Sequence, residues 1–535
     1  MKTWFLRSSA LAALVVLGAC GGGGGGGGGF FPIAGLPTAN TTVTLNGNVT
    51  FDSVPNTSGG LNYGAMSAKP VRGAVVEVLD ANAAVLASTA TDANGAYSAS
   101  VPANTTVSVR VKAQLLQSGS GPSWDVSVRD NTQSDALYSM DSGTFSTGGA
   151  GVARNVHAPS GWNGSSYAST RVAAPFAVLD TVYSTQAKVL SVAPSTAFPP
   201  LRVFWSVDNL PASGNLTLGQ IGTTFFTSSG AAGAPRAIYV LGKENVDTDE
   251  YDSSVVAHEW GHYYQSAFSR DDSPGGGHSL SELLDRRLAF SEGWGNAWSG
   301  IALGRSNYTD SAGANQALGS NLDLTTGTTS NPGWYREVSI QSIFWNLNNQ
   351  VGFKPIHDAL TATSFKNGVA VSSIHPFSVA FNAAAPGSAS ALNALLAGQG
   401  IAVPNNPFAD NEGNGGGPSL IAYTLPMYKT ATLGGGTQAC VTNQADPGRA
   451  GNKLGSYAYL RFSAPAGNHT INVTGGPAGS DPDFVVYQGG RVGQGLSTVA
   501  GSESGAVSLA AGEAVLVVND FNNSSANTCF TVTIN

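Results

Sequence analysis

At 535 residues the chain has room for two to four domains of roughly 100–200 residues each. Charged residues make up only 11%, and Lys+Arg (25) are outnumbered by Asp+Glu (33). The resulting net charge of −8 excludes a basic nucleic-acid binder and disfavours polyanionic partners.

The chain opens with the basic residues Lys2 and Arg7, then an apolar run, Ala10–Leu17, too short to span a bilayer. The run ends in Leu17-Gly18-Ala19-Cys20, which resembles a bacterial lipobox. That resemblance implies a signal peptide over residues 1–19 and a lipid on Cys20. The product would be an exported cell-envelope lipoprotein of the bacterial outer membrane or surface, touching the membrane only through its anchor. An ordinary cleaved signal peptide, with release from the cell, is the alternative. Residues 20–41, with glycine from Gly21 to Gly29, read as a flexible tether.

Residues 42–160 have a β pattern. Val75, Glu77 and Leu79 alternate with Val76 and Val78, and Val107, Val109 and Val111 mark a further strand. Asp92-Ala93-Asn94-Gly95 supplies the turn between them. Pro70–Ala74 and Thr91–Tyr97 resemble the carboxypeptidase-regulatory-like or transthyretin-like β-sandwich, which implies a packing or spacer module.

Residues 161–404 form the next region. Pro175 suits the start of a helix whose apolar face carries Phe176, Leu179, Val182, Tyr183, Val189 and Leu190. Ala237–Leu241 reads as a buried strand, and the acidic loop Asp247–Asp252 leads into a second helix. There His258 and His262 are four residues apart, which places both imidazoles on one helical face, able to share a tetrahedral zinc. Glu259 stands beside them, within reach of a water at the metal and not of the metal itself. Val255, Val256, Tyr263 and Ala267 supply apolar positions, with Ser253 or Asp252 as the cap.

A catalytic zinc needs a third protein ligand, and two carboxylates compete for the place. Glu282 lies 20 residues after His262 and Glu292 lies 30 after it. Ser291-Glu292-Gly293-Trp294-Gly295-Asn296 resembles the Gly-Glu-Gly-Trp-Ser-Asp segment of fungalysin-type gluzincins, close to the thermolysin-like group. The resemblance, spanning about Arg171 to Ala402, implies an α+β zincin-like domain with Glu292 as third ligand and Asn296 in place of an orienting aspartate. It also implies an oxyanion donor near residues 331–337. No histidine occurs there, so Tyr335 is the substitute, with Arg336 and then His375 behind it. Glu282 has an ion pair with the neighbouring arginines as its alternative role. His278, in a Gly-rich loop, is a lower-ranked ligand. A metzincin is set aside, because Gln265 and Phe268 stand where it needs glycine and histidine.

Residues 405–422, with Pro404-Asn405-Asn406-Pro407 and Gly415-Gly416-Gly417, read as a linker. From 423 to 535 alternation returns in Ala458–Phe462, Thr470–Val473, Asp483–Tyr487 and Ala514–Val518, the pattern of a β-sandwich. Asp481-Pro482-Asp483-Phe484 and Asn519-Asp520-Phe521 resemble the bacterial pre-peptidase C-terminal domain. Asp481 and Asp483 are candidate calcium ligands. Cys440 and Cys529 suit one disulfide in an oxidising compartment.

The whole therefore reads as a multidomain chain: β-sandwich, α+β zincin-like metallopeptidase domain, C-terminal β-sandwich. The resemblance implies one catalytic zinc on His258, His262 and Glu292, with Glu259 as base and a protein or peptide as substrate. The rival expectation is a surface lipoprotein whose zinc site is inactive or structural and which serves binding or adhesion.

Overall fold

A computed structural model describes residues 41–228, 236–523 and 525–535. The expected signal segment, Cys20 and the expected tether up to residue 40 lie outside the described residues. Alternation does what the sequence requires in the first long strand, Thr42–Ser53, where Leu45, Val49 and Phe51 turn inward. It pairs antiparallel with Ala96–Pro102 and Ser67–Pro70, and parallel with Val152–Ala153 and Val156–Ala158.

The second sheet departs from the expected domain plan. Its main path runs from Phe225–Thr227 through Ala237–Val240, Leu201–Trp205, Trp124–Asp130, Thr106–Gln117 and Ala74–Asp80 to Val85–Ala90. The boundary expected between residues 160 and 161 is thus bridged by one sheet. Leu201–Trp205 lies parallel to Trp124–Asp130, with Val203 opposite Val128. Parallel neighbours need a crossover, and helix α1 (Ala174–Leu190) provides it, burying Phe176, Leu179, Val182 and Val189. Ala237–Val240 is buried throughout, and Phe225–Thr227 forms the sheet's edge beside it.

Three helices then build the centre of the molecule: α2 (Ser253–Phe268), α3 (Arg286–Leu303) and α4 (Glu337–Val351). α3 is buried nearly all round because it is flanked by the other two. Glycines permit the close approach. A Cβ on Gly261 would stand 3.2 Å from the Cα of Gly295, and one on Gly293 would stand 2.5 Å from Cβ of Ile340. Stacked Trp260 and Trp298 (ring centroids 5.4 Å apart) fill the space beside these contacts. Asp285 caps α3 by accepting from Arg287 N, and Gly304, left-handed at φ 68°, ends it. A small antiparallel sheet of Gly242–Lys243, Asp247–Thr248, Asn307–Ala312 and Leu318–Asp323 lies beyond.

The C-terminal residues form two sheets that enclose Phe462, Ile471, Phe484, Leu516 and Phe530. Cys440 and Cys529 sit directly opposite on adjacent strands and are joined by a disulfide. The sandwich is docked on the start of α3. The guanidinium of Arg286 lies 4.0 Å from the ring centroid of Tyr459, whose hydroxyl donates to Asp285 at 2.6 Å. The expected linker is likewise packed: Phe408 and Ala409 are buried, and Glu412 accepts from His375 at 2.9 Å. Among the described residues no helix is long and apolar enough to cross a membrane.

Candidate metal centre

The helix that carries the two histidines is held by its apolar positions, with Val256, Trp260, Tyr263 and Tyr264 in the core. Asp252 occupies the cap position but does not cap with its side chain. Its carboxylate accepts instead from Asn56 Nδ2 (2.6 Å) and from Ser311 N (3.0 Å) and Oγ (2.6 Å). The start of α2 is thereby tied to the N-terminal region and to the strand Asn307–Ala312.

His258, His262 and Glu292 are brought together. Nε2 of His258 lies 3.1 Å from Nε2 of His262 and 3.1 Å from Oε2 of Glu292, and the third edge, His262 to Glu292, is 3.5 Å. Ligands at about 2.0–2.2 Å from a tetrahedral zinc are separated by roughly 3.3 Å, so these atoms outline one face of such a tetrahedron. Two imidazole nitrogens and one carboxylate oxygen are a donor set that zinc takes readily. The residues fit the ion.

The far side of each ring is held as well. Nδ1 of His258 donates to Oδ1 of Asn296 at 2.9 Å, so the Nε2 lone pair points to the centre. The Asn296 amide then donates to Glu337 Oε1 and Gln341 Oε1, both at 3.0 Å. Asparagine at 296 therefore accepts from the histidine while borrowing a carboxylate one bond further out. Nδ1 of His262 faces Gln265 Oε1 (3.3 Å) and Ser291 Oγ (3.2 Å), and the Ser291 hydroxyl donates to Asp271 Oδ2 at 2.9 Å. Gly295 is required here, because a Cβ would stand 2.7 Å from the His258 ring.

Electrostatics follow from burial and from this crowding. Burial pushes Glu292 up, but the imidazoles of His262, His258 and His278 outweigh it and hold the carboxyl well below the usual range. Burial opposes charge on His262, yet Glu292 and Glu259 raise it to about 10. Glu259 is pushed up by burial, only partly offset by His258 and His262.

The three atoms face a cleft of about 710 Å³, which Glu259, Phe226 and Leu280 also line. Oε2 of Glu259 accepts from the Phe226 backbone N–H at 2.8 Å. Glu282 is elsewhere, paired with Lys453 of the C-terminal sandwich at 3.3 Å and not with the arginines beside it. Tyr335 is also displaced from its expected role. It is buried outside the cleft, with its hydroxyl donated to Asn414 Oδ1 at 2.7 Å, because the glycine-rich segment 413–417 packs over it. Arg336 reaches the Leu280 carbonyl at 3.0 Å, and His375 is engaged by Glu412.

Two residues the motifs did not single out as donors line the cleft. His278 brings Nε2 to 3.5 Å from Glu292 Oε2 and 3.6 Å from Glu337 Oε2. The Tyr308 ring stands edge-on to His258, with centroids 5.9 Å apart. Alternation in Asn307–Ala312 could have put Tyr308 and Asp310 on one face, but no spacing ties that strand to the metal helix. Asp481 and Asp483 crowd against Glu503 and Asp520 in the sandwich. Burial and those neighbours push Asp483 up to about 6.

No protein-family model matches the chain, and no curated protein matches it. Among solved structures, the pre-peptidase C-terminal domain of a Bacillus anthracis collagenase is similar at 11% identity and TM-score 0.17, over 20% of this chain and 94% of that one. PliG, a periplasmic inhibitor of g-type lysozyme from Aeromonas hydrophila, is similar at 18% identity and TM-score 0.13, over 20% of this chain and 98% of that one. Likenesses this limited carry no functional argument.

Proposed function

We propose that the chain is an exported zinc-dependent endopeptidase with a zincin-like α+β catalytic region. What carries the reading is the convergence of His258 Nε2, His262 Nε2 and Glu292 Oε2 on one tetrahedral face, open to a cleft that Glu259 also lines. Zinc held there supplies Lewis acidity towards water and towards a peptide carbonyl. Glu259 takes the proton of the attacking water on Oε1, since Oε2 is held by Phe226 N–H, and returns it to the leaving amine. Tyr308 and His278 replace Tyr335 as donors to the developing oxyanion. The Cys440–Cys529 bond supports an oxidising compartment outside the cytoplasm.

The test is Glu259→Gln. That variant retains one zinc per chain and loses casein hydrolysis by at least about 1,000-fold, in line with the loss of a general base and its transition-state contacts. Wild-type activity in the variant, or activity indifferent to chelators, overturns the proposal. A closed structural site is the second reading, favoured by the single observation that His278 Nε2 approaches Glu292. Removal of the imidazole in His278→Ala leaves zinc stoichiometry unchanged in a catalytic site and empties a structural one.

A further inference from the structure

The cleft holds a second convergence of ligand atoms. Asp247, Asp249 and Asp310 each turn a carboxylate oxygen to within 4.8 Å of the other two, and all three residues line the same cleft as His258. They come from two pieces of backbone. Asp247 lies on the short strand Asp247–Thr248, Asp249 follows it, and Asp310 projects from Asn307–Ala312, which pairs with that strand. Thr309 and Ser311 point to the opposite face, where they bond Asn56 O and Asp252, so the register cannot slip without breaking both.

A second observation points to a ligand. Asp249 is only 2% exposed, and its Oδ1 has no hydrogen-bond donor. Its other oxygen, Oδ2, accepts from the Thr224 hydroxyl, which itself accepts from Leu241 N–H at 2.9 Å. The single hydroxyl proton of Thr224 is thus committed to Asp249, whose carboxylate is held as an acceptor. Oδ1 of Asp247 is likewise buried without a donor. Among the described residues, none of the three carboxylates is ion-paired with a lysine or arginine.

We propose that Asp247, Asp249 and Asp310 bind a calcium ion beside the zinc-type centre. Calcium takes oxygen ligands at about 2.3–2.6 Å, so oxygens spaced up to roughly 5 Å apart can share it. The all-carboxylate set selects a hard cation over zinc, and the open cleft leaves room for the water ligands that complete six to eight positions. The ion offsets most of the charge of three clustered carboxylates and clamps the strand that carries Tyr308 against the strand leading into α2. Asp310 is two residues from Tyr308 on the same strand face, so the clamp sets where Tyr308 stands over His258. This site is independent of the peptidase reading.

Terbium titration of the zinc-loaded, full-length protein tests it, with tyrosine-sensitised emission as the signal and calcium as competitor. The wild type takes up terbium, displaced by calcium below about 1 mM, the weak end of protein calcium sites. Asp310→Asn loses that emission component at least about tenfold in affinity, whereas Asp483→Asn, in the C-terminal sandwich, retains it. Equal uptake by wild type and folded Asp310→Asn overturns the proposal. So does absence of uptake by the wild type, including the case in which Asp310→Asn instead loses cleavage beside Lys or Arg, which would make the cluster a subsite for a cationic side chain. Crystals of the wild type soaked in terbium need no variant: an anomalous peak between the three carboxylates is the expected result, and its absence rejects the site. Glu259→Gln binds the cation unchanged, so failure of the peptidase reading leaves this result readable.

Discussion

Gly295 shows how little room the centre leaves. Its missing side chain is where the His258 ring packs, so Gly295→Ala must move either the imidazole or α3. Zinc affinity falls by about 10–100-fold, the cost typical of disturbing a ligand's support, and competition with a chromophoric chelator measures it. The aromatic hydroxyls divide in the same way. Tyr335 spends its hydroxyl on Asn414 outside the cleft, so Tyr335→Phe leaves kcat within about twofold, a packing change away from the reacting atoms. Tyr308→Phe removes the hydroxyl of a cleft-lining residue and lowers kcat by about 10–100-fold with KM little changed. Equal kcat in the two variants would remove Tyr308 from the mechanism.

At the scale of elements, the approach to α3 is where the candidate metal site and the C-terminal sandwich meet. Leu454 N–H donates to Leu283 O at 2.9 Å and Asp285 N–H to Asn452 O at 3.0 Å, so sandwich and helix start share backbone bonds. The disulfide is different. It crosses two strands of the sandwich at a sequence separation of 89 and touches neither ligand nor cleft. Replacing both cysteines by serine therefore lowers stability by about 2–5 kcal/mol, as for native disulfides elsewhere, and leaves zinc affinity unchanged. Thermal unfolding and chelator competition on the same variant separate the two effects. The three cleft aspartates carry a pH signature of their own. Burial and mutual repulsion raise Asp247 to about 7, and burial raises Asp310 to about 6, both from an ordinary 3.8. A carboxyl raised on folding binds protons more tightly in the folded state, so the contribution of these two groups to stability in calcium-free buffer falls as pH rises from about 4 to about 7. Added calcium stabilises most at the upper end of that window, and Asp310→Asn flattens the fall. A Tm series across this range, with and without calcium, checks the sign.

For the whole molecule, the sheet that passes from Val85–Ala90 to Phe225–Thr227 makes the first 120 or so described residues part of the site's foundation. Leu201–Trp205 would lose its neighbour Trp124–Asp130 and stand as an open edge if the chain began at residue 161. A fragment of residues 161–422 is accordingly insoluble or fails to bind zinc, while residues 42–535 fold and bind it. Zinc titration of the two refolded fragments decides the matter, and a folded, zinc-binding 161–422 fragment would show the first strands to be a separable module. The segment 405–422 resists limited proteolysis for the same reason. It is packed through Phe408 and Glu412 and does not hang free.

The sequence by itself determined what depends on short-range periodicity: the spacing of His258 and His262, Glu259 beside them, and the alternating strands. Its local pattern also ranked Glu292 over Glu282, and the fold places Glu292 with the histidines and Glu282 with Lys453. Only the tertiary structure decided the rest, because those contacts join residues far apart in the chain and leave no periodic trace. Ser291 behind His262, Glu337 behind Asn296, Tyr308 in the cleft and Asp310 against Asp247 are of this kind. Tyr335 stands outside the cleft for the same reason: its neighbours along the chain suggested a cleft residue, and a loop about eighty residues later accepts from its hydroxyl.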